Sequence, residues 1–562
     1  MTVIAEYRHF CLLIGVFGLF QARLEGKDVI IEPWNATVVS LPGQSEAVVT
    51  VEDIPSNYSF VLFQAHTQSE NVSISSTQTF EETVTITGSH LGIVVFLKVS
   101  DSSASMYLRS DVNTSLRVLV SADIHTPADP VPGACNEVFK LENDPNIHLK
   151  TFKYSTNFQF QWGNLGFGRQ VPPGICEQHQ KQLLYDIYIF FLPEMDQSED
   201  TFLTSVRKML KASDVVDNGI KVMTISESTK SIGSVSSEVG QGAVLTVVVT
   251  DTKAGTSAVY VPAHTYSCLF QDGACSRKVD AVDGVIAVVS VICGLFLCFF
   301  GHRYLKTEFF IFGFLAFVLM SYITITKLSE LNSEAAVGVS VVVGLVGGAL
   351  FLIFWYFCGL PVVSVLLVGL TAGYLFSSLL FFTPFGNLSY WHTTVTYGLT
   401  FPCAVLIGPV FLLCFTKTLN ILSCTFVGSY LCVLCVDVFI WSSLKYVILN
   451  SVNHQTLPNY LNITNIFPFN TNEVILSVVW AGLFIAGTVF QFYRERKKPP
   501  FPPCPAHVKK AKRLERPLSH THEEERRPLL NERSRSDYAQ GHGRTIDNHQ
   551  KPAESTHVNQ PA

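Results

Sequence analysis

Seven long apolar runs, separated by short connections that hold the charges, constrain this chain more than any other feature. They cover residues 281–300, 308–326, 335–357, 360–383, 395–416, 419–441 and 473–492. Each is close to the ~20 residues that cross the hydrocarbon of a bilayer. In that medium a chain must satisfy its own backbone N–H and C=O groups, which a helix does segment by segment. The expected core is therefore an all-α membrane bundle of seven helices. Composition agrees: 48% of the 562 residues are hydrophobic and 15% are charged, against about 25% charged in soluble proteins. Cys358 and Gly359 alone join the third and fourth runs, so these two are expected to form a tight helical hairpin broken at Pro361.

The connections set an orientation. His302, Arg303 and Lys306 follow the first run, Lys417 follows the fifth, and Arg494, Arg496, Lys497 and Lys498 follow the seventh. Basic residues belong on the cytoplasmic side. The alternate connections carry Glu330, Glu334 and the sequons at Asn387 and Asn462, which places them outside. Asn387 lies close to the membrane, a poorer acceptor position than Asn462. From Tyr493 the chain holds 15 Lys and Arg against 9 Asp and Glu, a net +6, so the remainder carries −12 of the total −6. This Pro-rich, charged segment, 493–562, is expected to be a disordered cytoplasmic tail. Its mixed charge is no nucleic-acid signature.

The front of the chain reads as exported. Arg8 and His9 precede an apolar run over 10–20, followed by Gln21 and Ala22. That run is too short to span, so residues 1–22 are expected to be a signal peptide; an uncleaved anchor is the alternative, since Phe20 is not small. Residues 27–128 and 129–280 are expected to be two β-rich, sandwich-like extracellular lobes, parted at Pro130, Pro132 and Gly133. Runs 46–52, 60–65, 82–87, 91–99, 115–120 and 243–250 alternate or are β-branched, as are 151–160, 183–191 and 220–225 in the second lobe. One helix interrupts that lobe, capped by Ser198 and carrying Phe202, Val206, Met209 and Leu210 on one face. Sequons at Asn35, Asn57, Asn71 and Asn113 add to the exported reading. Cys135, Cys176, Cys268 and Cys275 suggest two disulfides with three possible pairings. Cys268 and Cys275 are nearest in sequence.

Few residues point to chemistry. Asp437 is the one acid well inside an apolar run; it is expected either to serve a function within the membrane or to meet Lys445 or water. Gly344 with Gly348, Gly369 with Gly373, and Gly482 with Ala486 have helix-packing spacing. In the tail, Glu525 stands four residues before Leu529 and Leu530. That pattern resembles the acidic dileucine signal read by clathrin adaptors, and implies an endosomal or lysosomal destination as the alternative to the cell membrane. Signatures of metallohydrolases, serine hydrolases and phosphate loops are absent. His90, His125, His148 and His264 are scattered and expected to be structural. No catalytic residue, metal or cofactor is expected. A G-protein-coupled receptor is disfavoured: the third run does not end in Asp/Glu-Arg-Tyr, the seventh lacks Asn-Pro-x-x-Tyr, and the outer connections hold no cysteine.

Several strings are more specific. They include Asp129-Pro-Val-Pro-Gly-Ala-Cys135, Tyr185-Asp-Ile-Tyr, Val261-Pro-Ala-His-Thr-Tyr-Ser-Cys268, Phe299-Phe-Gly-His-Arg303 and Phe381-Phe-Thr-Pro-Phe-Gly-Asn-Leu388. From about residue 50 to the seventh run the chain resembles the transmembrane 7 superfamily member 3 family. Its membrane part is also similar to a wider group sharing a seven-span domain of unassigned biochemistry. The resemblance implies a membrane protein linked to cell survival and to attenuation of cellular, endoplasmic reticulum stress. It implies no catalytic residues. The expected function is non-enzymatic: a glycosylated outer region binds an unknown protein partner or ligand while the helices sit in the lipid bilayer. A transporter or channel is the alternative, and an orphan receptor ranks behind it.

Overall fold

A computed structural model describes residues 24–501 apart from short internal stretches, the longest being 136–144, 167–175 and 269–280. The expected signal peptide and the sorting residues Glu525, Leu529 and Leu530 lie outside the described residues.

The first lobe is a sandwich of two five-stranded sheets. One holds Leu24–Glu25, Ala36–Leu41, Leu116–His125, Phe60–His66 and His90–Phe96 in that order; the other holds Asp28–Ile31, Glu46–Val51, Ala104–Arg109, Val72–Ser75 and Thr85–Gly88. Strands of the second sheet bury alternate residues, as in Glu46–Val51 and Ala104–Arg109, because one face meets the core and the other meets water. Phe60–His66 is buried at every position. Val61, Phe63 and Ala65 enter the sandwich core. Phe60 and Leu62 face the other way, onto Val131, Ala134 and Val261 of the second lobe. The two lobes thus share this sheet as a common wall.

The second lobe combines a three-stranded sheet, Ile147–Thr151, Ser155–Phe160 and Ile232–Ser236, with a five-stranded one centred on Leu183–Phe191 and Ala243–Asp251. The run 151–160 is not one strand. It turns at Phe152, whose N–H reaches the Ser155 carbonyl at 2.7 Å, and pairs with the strand before it. Helix α1 (Glu199–Arg207) is capped by Ser198, whose hydroxyl accepts from the Thr201 N–H. A second short helix, α2 (Ala212–Asn218), follows where only one was expected. Cys135 pairs with Cys176. Cys268 is disulfide-bonded as well, and Cys275 lies outside the described residues.

Helices α3 (Ala281–Phe300), α4 (Leu305–Leu328), α5 (Ser333–Cys358), α6 (Pro361–Phe382), α7 (Thr394–Leu412), α8 (Thr416–Ile440) and α10 (Thr471–Glu495) occupy the seven apolar runs. Between α8 and α10 lies α9 (Tyr446–Thr456), a helix in what reads as a loop. Among the described residues, six continuous helical stretches are long and apolar enough to cross a membrane; one, Thr394–Ile440, holds 47 residues. That is two crossings' worth of chain. Its halves meet at the 3-10 turn Leu413–Phe415, and Gly369 of α6 faces both Pro409 of α7 and Leu419 of α8.

Small residues decide which helices touch. Gly344, Gly347 and Gly348 on α5 lie against Val318, Phe317 and Phe310 of α4, while Gly373 on α6 lies against the Val405 carbonyl of α7. The third and fourth spans are therefore not the expected hairpin. Each turns its glycine face away from the other, and they part around an apolar cleft of about 630 Å³ lined by Phe351 and Phe354 on one side and Leu367 and Leu370 on the other. A close three-way crossing joins α3, α8 and α10. A Cβ on Gly428 would sit 2.6 Å from the Cys298 nitrogen and 2.7 Å from the Gly294 oxygen. Gly482 meets nothing within 4 Å, so this pair with Ala486 is not a seam inside the bundle.

Replacing Gly428 by Leu should destabilise the bundle by about 1–3 kcal/mol, as overpacking does, whereas Gly482→Leu should leave the midpoint of thermal unfolding in detergent unchanged. Equal midpoints for the two variants would remove the crossing from the account.

Candidate functional site

The chain between α8 and α10 leaves the bundle, returns to it, and must pair its backbone N–H groups on the way. Two buried acids do this. The Asp437 carboxylate accepts from the Leu444 N–H at 3.1 Å and the Lys445 N–H at 3.2 Å. The Glu473 carboxylate accepts from the Asn470 N–H at 2.9 Å, closing a capping box, and from the Ser443 N–H at 3.2 Å. Asp437 is fully buried and holds the turn into α9. Lys445 reaches it through its main-chain N–H, and the Lys445 ammonium, paired with Glu238, also acts on it electrostatically.

That side chain makes the junction with the β lobes. Lys445 Nζ lies 3.2 Å from Glu238 Oε1 of the second lobe, with both side chains largely shielded. Next to it, residues 464–466 run along the edge strand Ile232–Ser236. The Thr464 N–H donates to the Ser234 carbonyl at 2.9 Å, and the Ser236 N–H donates to the Thr464 carbonyl at 3.0 Å. The Ser236 hydroxyl donates to the Ile466 carbonyl at 2.9 Å. The segment covers an edge that would otherwise present unpaired backbone groups. Asn387 binds the same segment from the other side: its amide nitrogen donates to the Asn465 carbonyl at 2.7 Å and its oxygen accepts the Asn465 N–H at 2.9 Å. One irregular strand thus ties a β domain to the loop after α6.

At the opposite, tail-side end of the bundle a second polar group is enclosed. Glu308 reads as an interfacial residue at a span end, yet its side chain is fully buried. It faces the Asn420 amide and the Cys424 thiol, and neither carboxyl oxygen reaches hydrogen-bond geometry. Asn420 Nδ2 and His302 Nδ1 are 3.0 Å apart. Gln491 Nε2 donates to the Leu297 and Cys298 carbonyls.

The sequon asparagines Asn35, Asn57, Asn71, Asn113 and Asn462 are exposed. Asn387 is half-buried and its amide is occupied as described. Among the expected scattered histidines, His90 and His264 come together with His66 between the two lobes, and His125 Nδ1 lies 3.6 Å from Asp129. Strand periodicity marks His66 and His90 for one sheet face; nothing in the sequence joins them to His264. Among the described residues no group of three or more His, Cys, Asp or Glu side chains is arranged to hold a metal ion.

Comparison with known proteins covers both halves. Residues 27–123 match the family described as TM7SF3-like, N-terminal immunoglobulin-like domain. Residues 130–271 match TM7SF3-like, second immunoglobulin-like domain, and 287–492 match the TM7S3/TM198-like domain. Transmembrane 7 superfamily member 3 of Rattus norvegicus is 36% identical over 520 residues, 91% of this chain and 92% of its own. The Mus musculus protein is 35% identical with the same coverage. The Homo sapiens protein is 36% identical over 482 residues, 84% of each chain. A solved beta-glucuronidase from Bacteroides uniformis is similar over 40% of this chain and 26% of its own at 8% identity and a TM-score of 0.19, too low to bear on the fold.

Asp437→Ala would strand two buried N–H groups, each worth about 1–3 kcal/mol. Hydrogen exchange over 443–456 should rise and the unfolding midpoint fall, while Asp437→Asn, which keeps an acceptor, should lose less. Unchanged exchange in the alanine variant would mean the carboxylate holds nothing there.

Proposed function

The chain belongs to the transmembrane 7 superfamily member 3 family, and from that premise we propose that it is a non-enzymatic multi-pass membrane protein. In this reading its paired outer domains bind a protein partner or ligand, and the binding is reported to the bundle. A multi-pass membrane protein with two immunoglobulin-like domains has a large surface for binding. The observation that carries the reading is the Glu238–Lys445 pair and the strand-like pairing of 464–466 with Ser234 and Ser236. Domains tethered only for display would need no such fixed seat on the membrane part. Support of cell survival and attenuation of endoplasmic reticulum stress are proposed as the downstream outcome, on the family resemblance.

The proposed orientation puts the outer domains on the extracellular or lumenal side and the tail in the cytoplasm, at the cell membrane or in endosomal and lysosomal membranes if Glu525, Leu529 and Leu530 are read by an adaptor. Glycans are proposed on Asn35, Asn57, Asn71, Asn113 and Asn462, and the second disulfide between Cys268 and Cys275. Glycosylation of Asn387 would require its amide to leave Asn465. A second reading, transport, is favoured by one observation: the buried Glu308 carboxyl, which faces Asn420 and Cys424 without a formed hydrogen bond, since ionisable groups inside a membrane segment commonly mark a pathway. Asp437, committed to main-chain N–H groups, supports it less.

Charge reversal tests the coupling. Glu238→Lys or Lys445→Glu alone should raise hydrogen exchange across 232–236 and 464–466, and the double reversal should restore it. A cell-bound partner should be captured by the full chain and lost when residues 27–280 are removed; equal capture by both would end the binding reading. In reconstituted liposomes Glu308→Gln should leave ion flux at the level of the unaltered protein; a clear loss of flux would favour transport. Asn→Gln at each of the five exposed sequons should shorten the glycosylated species by one step on a gel, and Asn387→Gln should not.

A further inference from the structure

The wall between the two lobes contains a row of titratable groups in which Gln64, His66 and Asp123 are buried and His90 and His264 half-buried. On the first lobe's shared sheet, side chains alternate, and the face turned to the second lobe carries Gln64 and His66 from Phe60–His66, His90 from His90–Phe96, and Asp123 from Leu116–His125. His264, on the second-lobe strand Ala263–Thr265, completes the row. Apolar clusters flank it on both sides. Leu119 packs with Phe202 and Val248 on one, and Phe60 and Leu62 pack with Val131 and Val261 on the other.

The hydrogen bonds run in one direction. Gln64 Nε2 donates to Asp123 Oδ2 at 3.1 Å. The Gln64 oxygen must then accept, and it faces His66 Nε2 at 3.2 Å, so that nitrogen carries the proton. His66 Nδ1 is left as an acceptor, 3.3 Å from His90 Nδ1, which must donate. His90 Nε2 is the next acceptor, in contact with His264 Nδ1. All three rings are neutral; His66 and His90 each give one proton and take one, and His264 gives one to His90. The tautomers are assigned by this pairing.

On His66 Nδ1 or His90 Nε2 a further proton would set N–H against N–H within the row. Only His264 has another acceptor, the Gln68 carbonyl that faces it, and a cation there would still lie in an apolar wall beside Phe202, 4.4 Å away between ring centres. The carboxylates near the row are engaged or oppose the effect. Glu199 and Asp200 of α1 are paired with Arg117, and Asp129 lies beside His125. Asp196 is held by Ser198 and Thr201. His125, on the same sheet face, and Lys211, before α2, both act on Asp123. Tyr266 is bound by the Gln68 amide.

We infer that His66, His90 and His264 form an acid-sensitive latch: neutral, they hold the two immunoglobulin-like domains together, and their protonation releases the second domain from the first. Burial holds His66 and His264 down to about 3 and His90 well below its ordinary value. Rings freed by opening return to about 6.5. Groups whose closed-state value is depressed stabilise the closed form above 6.5 and lose that contribution as pH falls below it. At about pH 5.5 each freed histidine favours opening by about tenfold. Asp123 works against this. Burial raises it to about 6, so it takes up a proton in the closed form and favours closure by about fourfold at the same pH. Three histidines outweigh one carboxylate. The window is that of acidified membrane compartments.

The test uses the full chain in lipid nanodiscs, with hydrogen exchange read as protection factors between about pH 7.5 and about pH 5.5. Protection over 60–66, 90–96 and 263–265 should fall at least about tenfold on acidification and recover on return, while Ala104–Arg109, in the far sheet, stays protected. His264→Gln, which keeps a donor and an acceptor, should remain closed at the higher pH and lose most of the response. If that variant does not fold, His66→Gln serves in its place. A seam equally protected at both pH values overturns the latch, and so does a folded variant that opens like the unaltered protein.

Discussion

Everything in the membrane part depends on one requirement: no backbone N–H or C=O can be left unpaired where water is missing. Seven helices answer it over most of the 281–495 span. The difficulty lies where the chain must leave a helix and return, and there the molecule places carboxylates. Asp437 and Glu473 accept four main-chain N–H groups between them, and so fix where α9 begins and where α10 starts. A charge that looks anomalous in an apolar run is the means by which the run ends. Once that turn is fixed, residues 464–466 are presented to the second lobe's edge strand, and the outer domains acquire a seat.

The same rule explains the wall between the lobes. A sheet covered on both faces should be apolar on both. Here one face is apolar and the other carries Gln64, His66, His90 and Asp123, which is tolerated because each has a partner within the row. Buried polar groups that are fully connected favour one arrangement over its neighbours, since any slip leaves several of them unpaired. The apolar clusters around Leu119 and Leu62 supply adhesion, and the row fixes the register.

Much of the architecture was legible from periodicity alone. Run lengths place the seven helices to within a few residues, and alternation marks the strands Glu46–Val51 and Leu183–Phe191. What stayed hidden was partnership. The two-residue link at Gly359 argued for pairing α5 with α6, but connection length is a weaker determinant than the glycine faces at Gly344 and Gly373, which choose α4 and α7. Glu308 looked interfacial because distance along a helix says nothing about which side faces a neighbour. Asp437 was visible as an oddity, though its partners, main-chain N–H groups at 444 and 445, carry no sequence signal. The histidine row is the extreme case: residues 66, 90 and 264 belong to three strands in two domains, and only the docking of those domains brings them together.

These junctions lie in series. The first lobe touches the second across the histidine row and the Arg117 ion pairs; the second touches the membrane part through Glu238, Ser234 and Ser236; and Lys445, on the far side of that contact, is positioned by Asp437 inside the bundle. At each junction shielded polar contacts stand beside the apolar ones, and the polar ones have a definite alternative when a proton or a partner disturbs them. Apolar contacts alone between the same surfaces would hold as firmly but would degrade gradually, because dispersion and burial scale with area. Shielded hydrogen bonds and ion pairs instead fail when one partner is lost. A chain of such contacts is suited to relaying a change at the outer domains to the helices as a switch, which a flexible tether between domain and membrane could not do.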